Sequence, residues 1–365
     1  MRVLFALWLV VLSGCAVQND LSYTDRADVG AVVPIYVGTT RNPTNDGTFN
    51  SSLATATNYV RYDVSIPPLH EPGKIEWPLG KTPNPEKNFA VTAKYTYADD
   101  TAFKASLRKQ IIEKSPAKKR VYVYVHGFYN TFGDGLYRAA QISNDFSVDA
   151  VVAHFAWPST GSAFGYAHDR DAVLTARDSF QEFLETVKDA GASEIVIVAH
   201  SLGAALTMET LRSIAIEDEG AVTRMIKGVA LIAPDLDVDL FVSQASRIGK
   251  LPDFFVIFTS SRDRALQLSA RVSGETARLG NIQDVTPIAH LETVVWDISA
   301  LDGIQKSNHL AAFENPEALE FIQLIQGREA VLSVSGKTLP GPFPSVAISI
   351  NNLTRIVLSP ESANN

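Results

Sequence analysis

The sequence predicts an α/β fold: a mostly parallel central sheet flanked by helices, with a β-rich N-terminal extension. Three observations carry this. From residue 120 onward, strand-like apolar runs alternate with helix-length segments. Those runs are apolar throughout instead of alternating, as expected of strands buried on both faces. The chain has 365 residues, 46% of them hydrophobic, which is enough for a sizeable core.

In chain order, residues 1–14 read as a lipoprotein signal peptide. Arg2 is followed by an apolar run from Val3 to Leu12, too short for the ~20 residues that span a bilayer. Leu12-Ser13-Gly14-Cys15 then looks like a bacterial lipobox, with Cys15 as the lipidation site. An ordinary secretory signal ending near Ala16 is the alternative. Residues 15–30 read as a lipidated tether, and the absence of an acidic residue directly after Cys15 goes with a lipid-anchored outer-membrane location if the source is Gram-negative. Cys15 is the only cysteine, so no disulfide or cysteine nucleophile is available inside the fold.

Residues 31–115 form the predicted extension. Strands are expected at Val32–Val37, Tyr59–Ile66 and Phe89–Tyr97, separated by Pro67-Pro68, Pro72-Gly73 and Pro83-Asn84-Pro85. Asp100 is placed as the cap of a helix carrying Phe103, Leu107 and Ile111. Residues 116–329 form the core. Its strands are expected at Val121–Val125, Val151–Phe155, Ile195–Val198, Gly228–Ile232, Phe254–Phe258 and Thr293–Trp296. Helices are expected near Leu136–Asp145, Asp169–Ala190, Leu202–Ile216 and Val238–Ile248. Residues 330–365 read as a C-terminal hairpin and tail, with strands Ser345–Ile350 and Leu353–Leu358.

Within the core, Ala199-His200-Ser201-Leu202-Gly203 joins an apolar strand to a small-residue helix. That arrangement resembles the nucleophile elbow of α/β-hydrolases, in which a sharp turn lifts a serine hydroxyl above the sheet edge. Ala199 stands where glycine is commoner. The bland reading of Ser201 is a helix cap.

A serine hydroxyl needs a histidine to take its proton and a carboxylate to orient that histidine. Parallel sheets gather such groups at the carboxyl ends of their strands. Of seven histidines, His309 follows the last core strand and is the one at the expected edge and in the order Ser, acid, His. Asp263 follows the strand next to last and is favoured as the acid; Asp235 is the runner-up. The oxyanion hole needs two backbone N–H donors, assigned to Leu202, after the serine, and Phe128, after His126-Gly127. Tyr129 and Trp157 are candidates for lining the substrate pocket, with a core position equally open for Trp157.

These segments, together with Leu136-Tyr137-Arg138-Ala139-Ala140, Trp157-Pro158-Ser159, Ala233-Pro234-Asp235 and Ser261-Arg262-Asp263-Arg264-Ala265-Leu266, resemble a little-characterised bacterial α/β-hydrolase family over residues 33 to 328. Val64-Ser65-Ile66-Pro67-Pro68 fits its N-terminal part. The resemblance implies an α/β-hydrolase fold and Ser201, Asp263 and His309 as the triad, and it implies no substrate. The expected activity is hydrolysis of carboxylic esters through an acyl-enzyme, on a small-molecule ester or acyl substrate. A thioesterase or amidase would use the same triad, and a non-catalytic envelope binding protein would keep only the fold. No cofactor or metal site is expected. A net charge of −8 without a long basic run argues against nucleic-acid binding.

Overall fold

A computed structural model describes residues 21–45, 47–80, 82–274, 277–299, 308–315, 345–350 and 353–358. Cys15 and the leader lie outside the described residues. The strands are β1 (Ala31–Pro43), β2 (Phe49–Ile66), β3 (Ala90–Thr96), β4 (Arg120–Val125), β5 (Val151–Ala156), β6 (Glu194–His200), β7 (Ile226–Ile232), β8 (Phe254–Thr259), β9 (Val294–Asp297), β10 (Ser345–Ile350) and β11 (Leu353–Leu358). The helices are α1 (Asp100–Lys114), α2 (Phe132–Asp145), α3 (Tyr166–Asp189), α4 (Leu202–Glu217), α5 (Ala221–Met225), α6 (Val238–Ile248), α7 (Arg264–Val272) and α8 (Ala311–Glu314).

The described strands form one sheet in the order β10-β11-β9-β8-β7-β6-β4-β5-β1-β2-β3. Every pairing from β1 through β5, β4, β6, β7, β8 and β9 to β11 is parallel. Antiparallel partners close both flanks, β2 and β3 on one side and β10 on the other. The N-terminal strands are therefore part of the same sheet: β1 pairs with β5 from Ile35↔Val152 to Thr39↔Ala156. All of β5 is buried, as a strand flanked on both edges and both faces must be. The outer edge at β3 is covered by Ser22–Thr24, where Val91 N–H donates to Ser22 O (2.7 Å) and Thr24 N–H to Val91 O (2.9 Å).

Alternate strand residues feed two cores, one on each face of the sheet. Val121, Val123 and Val125 of β4 pack with Phe103 of α1, Phe180 of α3, Leu206 of α4 and Phe241 of α6. Tyr124 of the same strand packs on the opposite face with Leu136 of α2 and Phe313 of α8.

Local chemistry moves some helix starts away from the expected positions. The cap of α1 is Asp99, which accepts from Ala102 N–H (2.8 Å), while Asp100 pairs with Lys104. Helix α2 starts at Phe132, before the expected Leu136. Thr131 and Asp134 form a reciprocal capping box there, overriding the low helix propensity of Gly133 and Gly135. Gly135 is required sterically: a Cβ on it would lie 2.5 Å from His154 Nε2.

Candidate active site

Since the core strands run parallel, the loops after β4, β5, β6, β7 and β8 emerge at one edge of the sheet. Ser201 occupies the turn from β6 to α4 with φ 53° and ψ −123°, a conformation that costs a non-glycine residue energy. Neighbouring backbone holds it there: Ser201 N–H donates to Ile232 O (3.0 Å), and its own carbonyl accepts from Ala204 N–H (3.0 Å) and Asp235 N–H (3.2 Å). Two glycines make room. A Cβ on Gly203 would sit 2.5 Å from His126 O, and one on Gly127 would sit 2.7 Å from the Ser201 Cβ. The turn thus brings α4 against the end of β4, with the start of the helix beside the serine.

Asp263 and His309 meet. His309 Nδ1–H donates to Asp263 Oδ2 (2.8 Å), and the Asp263 side chain is fully buried. The other carboxylate oxygen accepts from Leu266 N–H (3.0 Å), so Asp263 also caps α7. The one aspartate thus serves as helix cap and histidine partner at once. Asp235 is committed elsewhere. Its oxygens accept from Ser269 Oγ (2.6 Å) and Tyr166 OH (3.0 Å), and Arg278 lies at 3.2 Å. Of the two candidate acids, only Asp263 contacts His309 among the described residues.

His200, next to the serine, donates from Nε2 to the His309 carbonyl (3.0 Å), and the two rings pack at 4.7 Å. Burial, then repulsion from His309, pushes His200 well below its usual pKa, so it serves as a neutral donor. Sequence reasoning missed this role, because nothing local to residue 200 reveals a partner 109 positions away.

The loop after β4 carries the expected oxyanion donor. Among the described residues, neither the Phe128 nor the Leu202 backbone N–H is engaged in a hydrogen bond. His126 lies beneath, fully buried, with Nδ1 2.9 Å from Gly127 O and Nε2 3.0 Å from Trp157 O. Burial holds this ring well below its normal pKa, helped by the charge on Arg41. Trp157 stacks on it at 5.0 Å and donates Nε1–H to His126 O (2.7 Å). The indole is wholly buried, so it supports the loop from below and does not face the open side. Tyr129 is 56% exposed, and Tyr166 packs edge-on against Phe128 (5.4 Å).

A second support was also illegible in sequence. Arg41 is buried and donates to Asn130 O (2.8 Å); burial lowers its pKa to about 10. Asn130 donates its side-chain amide to Phe128 O (2.9 Å) and its backbone N–H to Ser159 Oγ (3.3 Å). Ser159 donates in turn to the fully buried Asp169 (2.6 Å). The Trp-Pro-Ser segment is thereby explained as scaffolding for the loop. Among the described residues, no group of three or more His, Cys, Asp or Glu side chains is placed to hold a metal, and no helix is long and apolar enough to cross a membrane.

No curated protein matches the chain. Among the solved structures that match, two illustrate a low overall similarity. One is the amino acid ABC transporter substrate-binding protein from Pseudomonas fluorescens Pf-5, at 15% identity and TM-score 0.26. That alignment covers 69% of this chain, which spans 56% of the length of the transporter protein. The other is a protein from Agrobacterium vitis S4 named as a hydrolase, at 10% identity and TM-score 0.33, covering 82% of this chain and 99% of that one. Neither bears on the chemistry. The family model for the α/β-hydrolases of unknown function (DUF900) matches residues 99–328, so Val64–Pro68 falls outside the matched span. With its parallel sheet, its strained serine turn and this match over most of its length, the chain belongs to that α/β-hydrolase family.

Proposed function

We propose that the protein is a serine hydrolase of carboxylic esters. The observation that carries the reading is the Asp263–His309 hydrogen bond at the sheet edge where the β6–α4 turn presents Ser201. Ser201 Oγ attacks the ester carbonyl while His309 takes its proton, and Asp263 fixes the histidine's tautomer and stabilises the imidazolium. The tetrahedral oxyanion accepts hydrogen bonds from the Phe128 and Leu202 N–H groups. His309 then returns the proton to the leaving alcohol. A water molecule, deprotonated by the same histidine, attacks the acyl carbon; the bond to Ser201 Oγ then breaks, the acid leaves, and His309 returns the proton to Oγ. Phe128, Tyr129 and Tyr166 favour an apolar or aromatic acyl substrate.

Labelling of detergent-solubilised full-length protein with a fluorescent fluorophosphonate tests this. Wild type is expected to label and Ser201→Ala to stay dark. A folded wild type that does not label favours the alternative, a binding protein on a hydrolase scaffold. Labelling followed by a panel of esters, thioesters and amides separates the three acyl chemistries.

We further propose that Cys15 carries a lipid and holds the protein at a bacterial envelope membrane. The motivation is the lipobox ending in the only cysteine. Cys15→Ser should move the protein from the membrane to the soluble fraction; unchanged fractionation rejects the anchor.

A further inference from the structure

The loop between β2 and β3 holds a titratable cluster that the proposed chemistry does not use. His70 bridges two carboxylates: Nδ1–H donates to Glu76 Oε2 (2.8 Å) and Nε2–H to Asp145 Oδ1 (2.7 Å). Asp145, at the end of α2, has a fully buried side chain. Its second oxygen accepts from Gly73 N–H (2.7 Å) and from the Gln141 amide (2.5 Å). Gln141, also fully buried, donates as well to Phe313 O (3.3 Å). Beside it, Arg138 donates to Glu314 Oε1 (2.8 Å), to Gln141 Oε1 (3.1 Å) and to Gly73 O (3.5 Å). The loop is pressed against the same segment: Gly73 has φ +89°, and a Cβ on it would lie 2.5 Å from Glu314 O.

Phe313 and Glu314 lie one helical turn beyond His309. The Phe313 ring packs edge-on against His200 (5.7 Å) and Tyr124 (6.0 Å). His200 in turn holds the His309 carbonyl. The segment 308–315 is thus held by His200 of the elbow and by α2 and the loop.

We infer that His70, Asp145 and Gln141 are positioning residues for His309, joined in a buried hydrogen-bond relay, Glu76–His70–Asp145–Gln141–Phe313 O, that fixes the segment carrying the general base. The inference rests on the hydrolase reading of Ser201 and His309. It gives the loop at 70–76, outside the span matched by the family, a part in the site.

The relay depends on His70 donating from both ring nitrogens, which requires the imidazolium. Burial pushes its pKa down, but the hydrogen bonds to Asp145 and Glu76 outweigh that and raise it. A raised folded pKa means the contribution is complete below the unfolded value of ~6.5 and is lost as pH rises through the folded value. Deprotonation removes one N–H and leaves Glu76 and Asp145 facing a neutral ring. The other charged groups around the cluster are Glu71, whose backbone N–H bonds Glu76 Oε1, Lys74, which pairs with Glu71 and faces Glu76, and the Arg138–Glu314 pair.

The test compares full-length wild type, Gln141→Met and His70→Gln in detergent. Gln141→Met keeps side-chain length and removes the amide. Small misplacements of a reacting group cost rate steeply, so fluorophosphonate labelling of Ser201 should slow about tenfold or more in Gln141→Met. kcat for p-nitrophenyl acetate should fall with KM unchanged. The low-field proton resonance of the Asp263–His309 hydrogen bond should broaden or vanish in both variants while melting temperature and circular dichroism show a folded protein. Wild-type labelling should decline on the alkaline side at the pH where His70 titrates by NMR, and His70→Gln should lack that decline. Wild-type rates and an intact low-field resonance in both variants overturn the inference. If Gln141→Met does not fold, the alkaline limb of His70→Gln decides. A wild type that never labels rejects the hydrolase reading itself, and the low-field resonance still reports whether the relay positions His309.

Discussion

The two halves of the candidate site are built in opposite ways. The serine half is local: one strand, one turn and one helix, with the strain of Ser201 at φ 53° held by backbone bonds to Ile232, Ala204 and Asp235. The histidine half is assembled from distant pieces, with Asp263 after β8, His200 on the elbow, and α2 and the loop at 70–76 behind Phe313. A turn shaped by steric exclusion is written in neighbouring residues, whereas the position of a segment held by side chains from four places is not. The serine half should therefore tolerate no added atoms, and the histidine half should lose function by small displacements without losing the fold.

The largest effect is expected in the histidine half. Asp263→Asn should lower turnover by about 10⁴-fold, since the amide favours the wrong histidine tautomer. Asp235→Asn should leave turnover within about threefold, because Asp235 pairs with Arg278 and not with His309. The paired measurement is steady-state hydrolysis of p-nitrophenyl acetate, and equal losses in the two variants would erase the distinction between the acids.

A smaller effect, on stability, should mark the serine half. Gly203→Ala introduces a Cβ about where His126 O already stands, at 2.5 Å, and both groups are anchored in backbone. Overpacking of this kind costs about 1–3 kcal/mol. Thermal unfolding followed by circular dichroism should show a clearly lower midpoint. An unchanged midpoint would mean that the elbow is looser than its contacts imply.

How much of this was legible in sequence follows the same division. The core strands from β4 to β9 fell where apolar runs predicted, and the small residues around Ser201 marked the elbow. Ser-acid-His order along the chain picked out His309 and favoured Asp263, which the fold brings together. The continuity of β1 with β5 was not legible, since strand pairing between residues 35 and 152 leaves no local mark. Helix α7 was missed because its start overlaps the acid-bearing loop, Asp263 serving both. Trp157 looked equally suited to pocket or core; only its hydrogen bond to His126 O and complete burial place it beneath the loop. His70, Asn130 and Ser159 look like ordinary loop residues, and Asp169 like an ordinary helix-start residue, until their partners are seen.

Ser22 is tied to the fold at its backbone: its N–H donates to Tyr137 OH (3.2 Å), and its carbonyl accepts from Val91 N–H (2.7 Å). That fixes the length of any leash. From Cys15 to Ser22 is 22 − 15 = 7 steps along the chain, at most roughly 25 Å when fully stretched at ~3.3–3.6 Å per residue. The radius of gyration of a compact chain this long is roughly 20 Å. A lipid on Cys15 would thus hold the body of the protein against the bilayer with little freedom to roam. The substrates it meets would be those that dissolve in, protrude from or diffuse close to that surface.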